Sequence, residues 1–209
     1  MRIESLAAKP DRAGRYAVRF DDGSSIRLYR QTVEDYSLYA GLELTEAQLT
    51  DLRTAAGQMS AKMRAVRIVA ASNVSRDDLQ QRLIRKGEDP GQAAEAVAWM
   101  EELKLVDDRA TAAQIVSQCA AKGYGLARAK QALYEKRIPK SYWQEALEDY
   151  PDQTDKIVAF LRSRLDADSD ERDRKRVVDA LLRRGHSYGD IRRAMGQLDL
   201  EEIPEEYDG

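Results

Sequence analysis

Three times in this chain a helix start is followed by apolar residues four and eight positions later. Ser75 leads to Leu79 and Leu83, Gly125 to Ala129 and Leu133, and Ser187 to Ile191 and Met195. Residues four apart share one helix face, so each run predicts a short amphipathic helix with one buried stripe. In the same register Val66, Val116 and Val178 stand nine places upstream, and Val69, Cys119 and Leu181 six places upstream, which predicts a helix packed before each. Gly123 and Gly185 fall two places before the helix start, where a chain leaving a helix often needs positive φ; Asn73 fills that slot in the first copy. The starts at 75, 125 and 187 are 50 and 62 residues apart, which fits tandem modules in which one linker has grown.

The fold class that follows is mainly α: tandem three-helix-bundle repeats in an elongated array, with a small N-terminal β-hairpin/α extension. The expected division is 1–58 for the extension, 59–106, 107–150 and 151–198 for the three repeats, and 199–209 for an acidic tail. In the extension, Tyr16, Val18 and Phe20 alternate with Ala17 and Arg19, Asp22 and Gly23 supply a turn, and Ile26 and Leu28 alternate with Arg27 and Tyr29. That is a hairpin, and Ile3 with Leu6 can add a third strand. A short helix is expected from Thr32 to Ala40, ended by Gly41. Thr45 and Gln48 form a capping box for a connector helix running to Ala71, with Gly57 as a point of interruption. Its apolar seam reads Leu49, Leu52, Ala56, Met59, Met63 and Val66. Trp99, at helical spacing from Ala96 and Leu103, is expected as a core anchor, and of Tyr142 and Trp143 one buried and one exposed.

Charge is distributed unevenly. The whole chain is formally -3, yet between Arg109 and Gln144 seven cations stand against the single acid Glu135. On the helix from Gly125 to Arg137, Leu126, Ala129 and Leu133 form the buried stripe, and Lys130, Tyr134 and Arg137 follow one another along its edge. Long cations beside a ring suit phosphate contact and base stacking; equally, their stems can lie over the core with the heads in water. Arg128 projects the other way, seven residues before Glu135, and is read as solvated. The candidate contact residues are Lys122, Lys130, Tyr134, Arg137 and Lys140, joined by Arg183, Arg184, Arg192 and Arg193 around Gly185. In this register Lys130 matches Arg192 and Lys122 matches Arg184. After Leu198 six acids occur with no Lys or Arg, a tail able to compete with phosphate for the basic faces.

The residues of the repeats also carry a resemblance. The run SRDDLQQRLIRKG from Ser75 to Gly87, the segment from Gly123 to Gly125 leading to ALYEKRIP at Ala132 to Pro139, and LRRGHSYGDIRRAM from Leu182 to Met195 resemble the RecX family of bacterial recombinase regulators. The resemblance covers roughly residues 59 to 198. It departs at Thr111 and Leu105, where aromatics are usual, and at His186, where the family carries a phenylalanine. It implies tandem three-helix repeats that bind the RecA filament on single-stranded DNA and restrain it, with a place in recombination, DNA repair and the SOS response.

Other classes of function find little support. With one His and one Cys there is no zinc ligand set, and no glycine-rich phosphate loop appears. Asp77 and Asp78, like Asp107 and Asp108, fall at helix starts, where carboxylates favour the helix dipole. The expectation is a cytoplasmic monomer that is not an enzyme and uses no cofactor or metal. Its expected partners are a RecA-type recombinase and single-stranded DNA, met directly or through the filament. The competing reading is a direct DNA-binding helical module of helix-turn-helix kind; a third is an adaptor that dimerises through the connector helix.

Overall fold

The computed structural model describes residues 1–166 and 169–198. The acidic tail and residues 167 and 168 of the polar stretch before the penultimate helix lie outside the described residues. The chain divides into two units, Met1–Val106 and Asp107–Gly209.

In the first unit, alternation produces strands where it is expected. β1 (Ile3–Leu6), β2 (Arg15–Phe20) and β3 (Ser25–Tyr29) form an antiparallel sheet in the order β1-β2-β3. Ile3, Val18, Phe20 and Leu28 point inward and are buried. The free edge of β1 is closed by the segment at Gly41 to Leu44, which exchanges backbone hydrogen bonds with Met1 and Ile3. The helix expected at Thr32 to Ala40 is shorter: α1 covers Arg30–Asp35. Ser37 takes positive φ and turns the chain so that Leu38 enters the core, which a continuing helix would not allow.

The connector, α2 (Glu46–Ala71), is a single 26-residue helix, about 40 Å at ~1.5 Å per residue. Thr45 and Gln48 form the capping box at its start. It runs through Gly57 without interruption, and at that point the amide of Gln92 lies where a Cβ would be. The apolar seam differs from the expected one in its second half. Leu49 and Leu52 join the sheet's core, whereas Ala61, Ala65 and Ile68, not Met59, Met63 and Val66, are the buried residues of the other end. From Leu52 to Ala61 a helix turns by roughly two and a half turns, so the two stripes lie on opposite sides. One helix thereby serves two cores. The second core is completed by α3 (Arg76–Arg85) and α4 (Pro90–Glu102) through Leu79, Leu83, Ala93, Ala96 and Met100. Met100 takes the anchoring role expected of Trp99, which is half-buried on the rim under Lys62.

The second unit holds α5 (Asp108–Ala121), α6 (Leu126–Glu135), a 3-10 turn at Lys140–Tyr142 leading into α7 (Trp143–Leu147), then α8 (Thr154–Arg162), α9 (Glu171–Arg183) and α10 (Tyr188–Gly196). Tyr142 and Trp143 are both half-buried, Trp143 donating its Nε1–H to the Ile138 carbonyl at 3.0 Å. The repeats recur in a register that corrects the expected one. α3, α6 and α9 end alike: the carbonyls of Leu83, Leu133 and Leu181 accept from the N–H five residues on, at 3.1, 3.0 and 3.2 Å, and residues 87, 137 and 185 have φ of 87°, 54° and 85°. This is the Schellman turn, three times over. The next helices bury Ala93, Ala96 and Val97 in one copy and Ile191, Ala194 and Met195 in another, with Trp143, Ala146 and Leu147 packed at the corresponding places. Positions 87, 137 and 185 are therefore 50 and 48 apart, and Ser187 matches Asp89, the N-cap of α4, not Ser75 and Gly125. The enlarged linker disappears, and so do the matches of Lys130 with Arg192 and of Lys122 with Arg184. The shared cations are the C-caps Lys86, Lys136 and Arg184, where positive charge suits the helix dipole.

The start of α6 is unlike the others. Ser75 and Asp170 cap α3 and α9 with their side chains, but Gly125 has none to offer. The turn after α9 supplies the acceptors: Gly125 N–H donates to the Arg184 carbonyl at 2.9 Å and Ala127 N–H to that of Gly185 at 3.2 Å. A Cβ on Gly125 would stand 2.0 Å from the Gly185 oxygen, and one on Gly185 2.3 Å from the Arg128 nitrogen. Both obstacles are backbone. Gly125→Ser, which would improve the cap of an isolated helix, is expected here to lower stability by about 2 kcal/mol or more through overpacking, measured by urea unfolding. Ser75→Ala should cost only about 1 kcal/mol as an ordinary lost cap.

Candidate partner-binding surface on the second unit

The ends of α5 and α6 are fixed before any side chain reaches solvent. α5 stops at Lys122 and turns at Gly123, with Tyr124 N–H returning to the Cys119 carbonyl at 3.0 Å. Lys156 of α8 lays its ammonium on the carbonyls of Ala120 and Ala121, where the negative end of the α5 dipole lies. Buried His186 meets the Gly123 carbonyl through Nε2 at 3.1 Å, and the Tyr150 hydroxyl donates to the Tyr124 carbonyl at 2.7 Å. Burial pushes that hydroxyl's pKa up to about 12, so it stays a donor. Burial likewise raises the Cys119 thiol, which favours the packing role expected for it over a reactive one.

On this frame the expected contact residues separate into groups. Lys130 and Tyr134 lie exposed one turn apart on α6, Tyr134 at 67%. Leu126, expected in the buried stripe, is 42% exposed and continues the same ridge one turn before Lys130, because the core takes Ala129 and Leu133 instead. Arg137 does not ride the helix. α6 ends at Glu135, and Arg137 stands exposed in the left-handed turn, at the position where the other two repeats carry glycine. A left-handed non-glycine residue costs roughly 1 kcal/mol. Lys122 and Lys140 are exposed at the cap of α5 and in the 3-10 turn. Of the other cations in this stretch, Arg128 is paired with Glu135 at 3.1 Å at the solvated surface, and Arg109 with Glu145 at 2.8 Å.

In the third repeat one of the four candidate contact residues is internal. Arg183, Arg192 and Arg193 are exposed, Arg193 lying 3.4 Å from Asp190. Arg184 is instead half-buried, its guanidinium 4.8 Å from the ring centre of Phe160 and 5.8 Å from that of Tyr124. Such stacking is an internal contact between consecutive repeats. The sequence shows Tyr124 and Phe160 only as aromatics near a turn and within a helix; nothing in their spacing announces that they share one cation.

Among the described residues no group of three His, Cys, Asp or Glu side chains could hold a metal ion, and no helix is long and apolar enough to cross a membrane.

Two outcomes follow from the geometry. Arg137→Gly should raise stability by about 0.5–1 kcal/mol in urea unfolding, because glycine adopts the turn without strain; a loss of stability would mean that the Arg137 side chain outweighs its backbone cost. Desolvation lowers the His186 pKa from the ordinary 6.5, against the opposing pull of the Gly123 carbonyl. The unfolded chain then takes up this proton first, so stability is whole above pH 6.5 and falls as pH drops through the window down to the folded pKa. His186→Phe should flatten that part of the pH–stability curve of the second unit.

A family model described as the second three-helix domain of RecX matches residues 107–147, the segment that holds α5, α6 and α7. The chain is 32% identical over 136 residues to the regulatory protein RecX of Chlorobaculum tepidum, covering 64% of this chain and 84% of that protein. It is 24% identical over 203 residues to the regulatory protein RecX of Clostridioides difficile, covering 94% of each. A crystal structure of regulatory protein RecX shares the fold with a TM-score of 0.62 at 22% identity, over 90% of this chain and 96% of that one. That of RecX from Lactobacillus salivarius gives 0.61 at 21% identity, over 69% and 98%. With its Schellman turns in a common register, its helical repeats and these relatives, the chain belongs to the RecX family of regulatory proteins.

Proposed function

We propose that this chain binds the RecA recombinase filament on single-stranded DNA and restrains its ATP turnover and strand exchange by occupancy, without chemistry of its own. The family gives the regulatory role, and the resemblance described above gives RecA as the partner. The observation that carries the reading is the outward ridge of α6, where Leu126, Lys130 and Tyr134 stand in line above a basic turn at Arg137. Apolar, cationic and aromatic groups on one rigid helix suit a surface that combines anionic and apolar character. A protein–DNA filament has such a surface. Lys122 and Lys140 extend the positive field around this ridge, and Arg183, Arg192 and Arg193 form a second basic area on the third repeat. Arg184, being stacked internally, drops out of the proposed contact set.

Direct duplex reading in helix-turn-helix fashion fits less well. That mode inserts the N-terminal turn of the recognition helix into the major groove. The amides of Gly125 and Ala127 that open α6 are already taken by the backbone after α9, which packs against Gly125.

The test is RecA ATP hydrolysis on single-stranded DNA, with binding to bare DNA measured alongside. The chain is expected to slow hydrolysis at concentrations too low to coat free DNA. Lys130→Glu combined with Arg137→Glu should need at least about tenfold more protein, equivalent to ~1.4 kcal/mol. Unchanged hydrolysis at saturating wild-type chain would refute the proposal, and sequence-selective duplex binding with no effect on RecA would favour the helix-turn-helix reading.

A further inference from the structure

The N-terminal sheet has an outward face that neither its own core nor the reading above employs. Along β2 the inward residues are Val18 and Phe20, which leaves Arg15, Ala17 and Arg19 on the other side. The register places Arg15 opposite Tyr29, Ala17 opposite Arg27, and Arg19 between Ser25 and Ser5. Three guanidiniums thus stand on adjacent strands around a floor of Ser5, Ala17 and Ser25, all exposed. From Arg15 to Arg19 is about 13 Å at ~3.3 Å per residue. Asp11 meets Arg15 at 3.0 Å and Arg27 at 3.4 Å through one carboxylate oxygen, so two of the three guanidiniums share one acid. The other acids of these strands and their turns are Glu4, Asp21 and Asp22, and the β1–β2 loop adds exposed Lys9 and Arg12. At one end, Arg67 of α2 holds the Tyr29 hydroxyl at 3.3 Å and the Ala13 carbonyl at 2.9 Å, which fixes the ring against the sheet.

We propose that this sheet face is a single-stranded nucleic-acid binding surface, with Arg15, Arg19 and Arg27 on phosphates and Tyr29 beside a base. The planar fork of arginine matches phosphate oxygens and loses less entropy per hydrogen bond than a lysine does, and the strands fix the spacing of the three positions that carry the forks. Small floor residues let a sugar–phosphate backbone approach closely. A fixed ring at the rim offers stacking that tolerates any base. The surface would act whether or not α6 engages a recombinase, so the two readings fail separately.

The experiment uses the full chain and a labelled oligodeoxythymidine, with anisotropy followed between about 50 and 200 mM salt. Arg19→Gln with Arg27→Gln should weaken binding about tenfold at the low-salt end and reduce the slope of log K against log salt by about 1.4, two phosphate contacts at ~0.7 each. Lys130→Gln with Arg137→Gln is the control for the other surface. Affinity and slope equal to wild type, or no binding of the oligonucleotide by the wild-type chain, would overturn the proposal. So would loss of poly-glutamate binding with oligonucleotide binding intact, which would assign the face to acidic protein. A readout independent of any variant is photo-crosslinking of the wild-type chain to a bromodeoxyuridine oligonucleotide. Adducts are expected on the peptide bearing Tyr29, and adducts confined to residues 107–198 would count against the assignment.

Discussion

Two glycines meeting backbone to backbone hold the second unit in its form. Gly125 and Gly185 approach so closely that neither could carry a side chain, and the approach lets carbonyls after α9 accept the amides that open α6. A helix start normally leaves its first amides to water or to a capping side chain. Here the next repeat closes them. Each such buried hydrogen bond contributes only about 1 kcal/mol net, but leaving its donor unmade would cost about 1–3 kcal/mol. Around this contact the other links make sense: His186 on the Gly123 carbonyl, Lys156 on the end of α5, and Arg184 between Tyr124 and Phe160. All tie the second repeat to the third, and all leave the far side of α6 open.

The first unit solves a related problem differently. A three-stranded sheet and a short helix bundle are each too small to bury much of their surface. α2 lends one side to each, Leu49 and Leu52 to the sheet and Ala61, Ala65 and Ile68 to the helices. Buried Glu88 adds a polar tie, bonded to Arg64 at 2.7 Å and Ser60 at 3.0 Å, which fixes the turn between α3 and α4 on the helix. Alanines at 61 and 65 permit the close approach of neighbouring helices that larger residues would block. The surfaces proposed for recognition in the two units sit on elements whose positions are determined by packing, which is what the proposed action by occupancy requires.

Much of this was legible in the residues. The hairpin followed from alternation and an Asp-Gly turn, the start of α2 from its capping box, and the buried pairs at Leu79 and Leu83 or Ala129 and Leu133 from helical spacing. Aligning Ser187 with Ser75 and Gly125 misplaces the third repeat because Ser187 is a good N-cap, and a cap says only that a helix begins, not which helix it is. The end of α6 is hidden in the sequence for a physical reason: Arg137 occupies a left-handed position that the other copies mark with glycine. Opposite stripes on α2 escaped because a heptad-like seam of methionines and valine fits one face better than alanines do. Contacts such as Arg184 with Phe160 depend on tertiary approach, and no spacing along the chain encodes them.

The account stands most directly on the amides that begin α6. Hydrogen exchange followed by NMR reads them individually. If the third repeat closes that helix, Gly125 and Ala127 should be protected to the same degree as amides in the interior of α6, near the level of global unfolding. Exchange at the rate of an open first helical turn would contradict it, since the two repeats would then be separate bodies and the ridge of α6 would have no fixed frame.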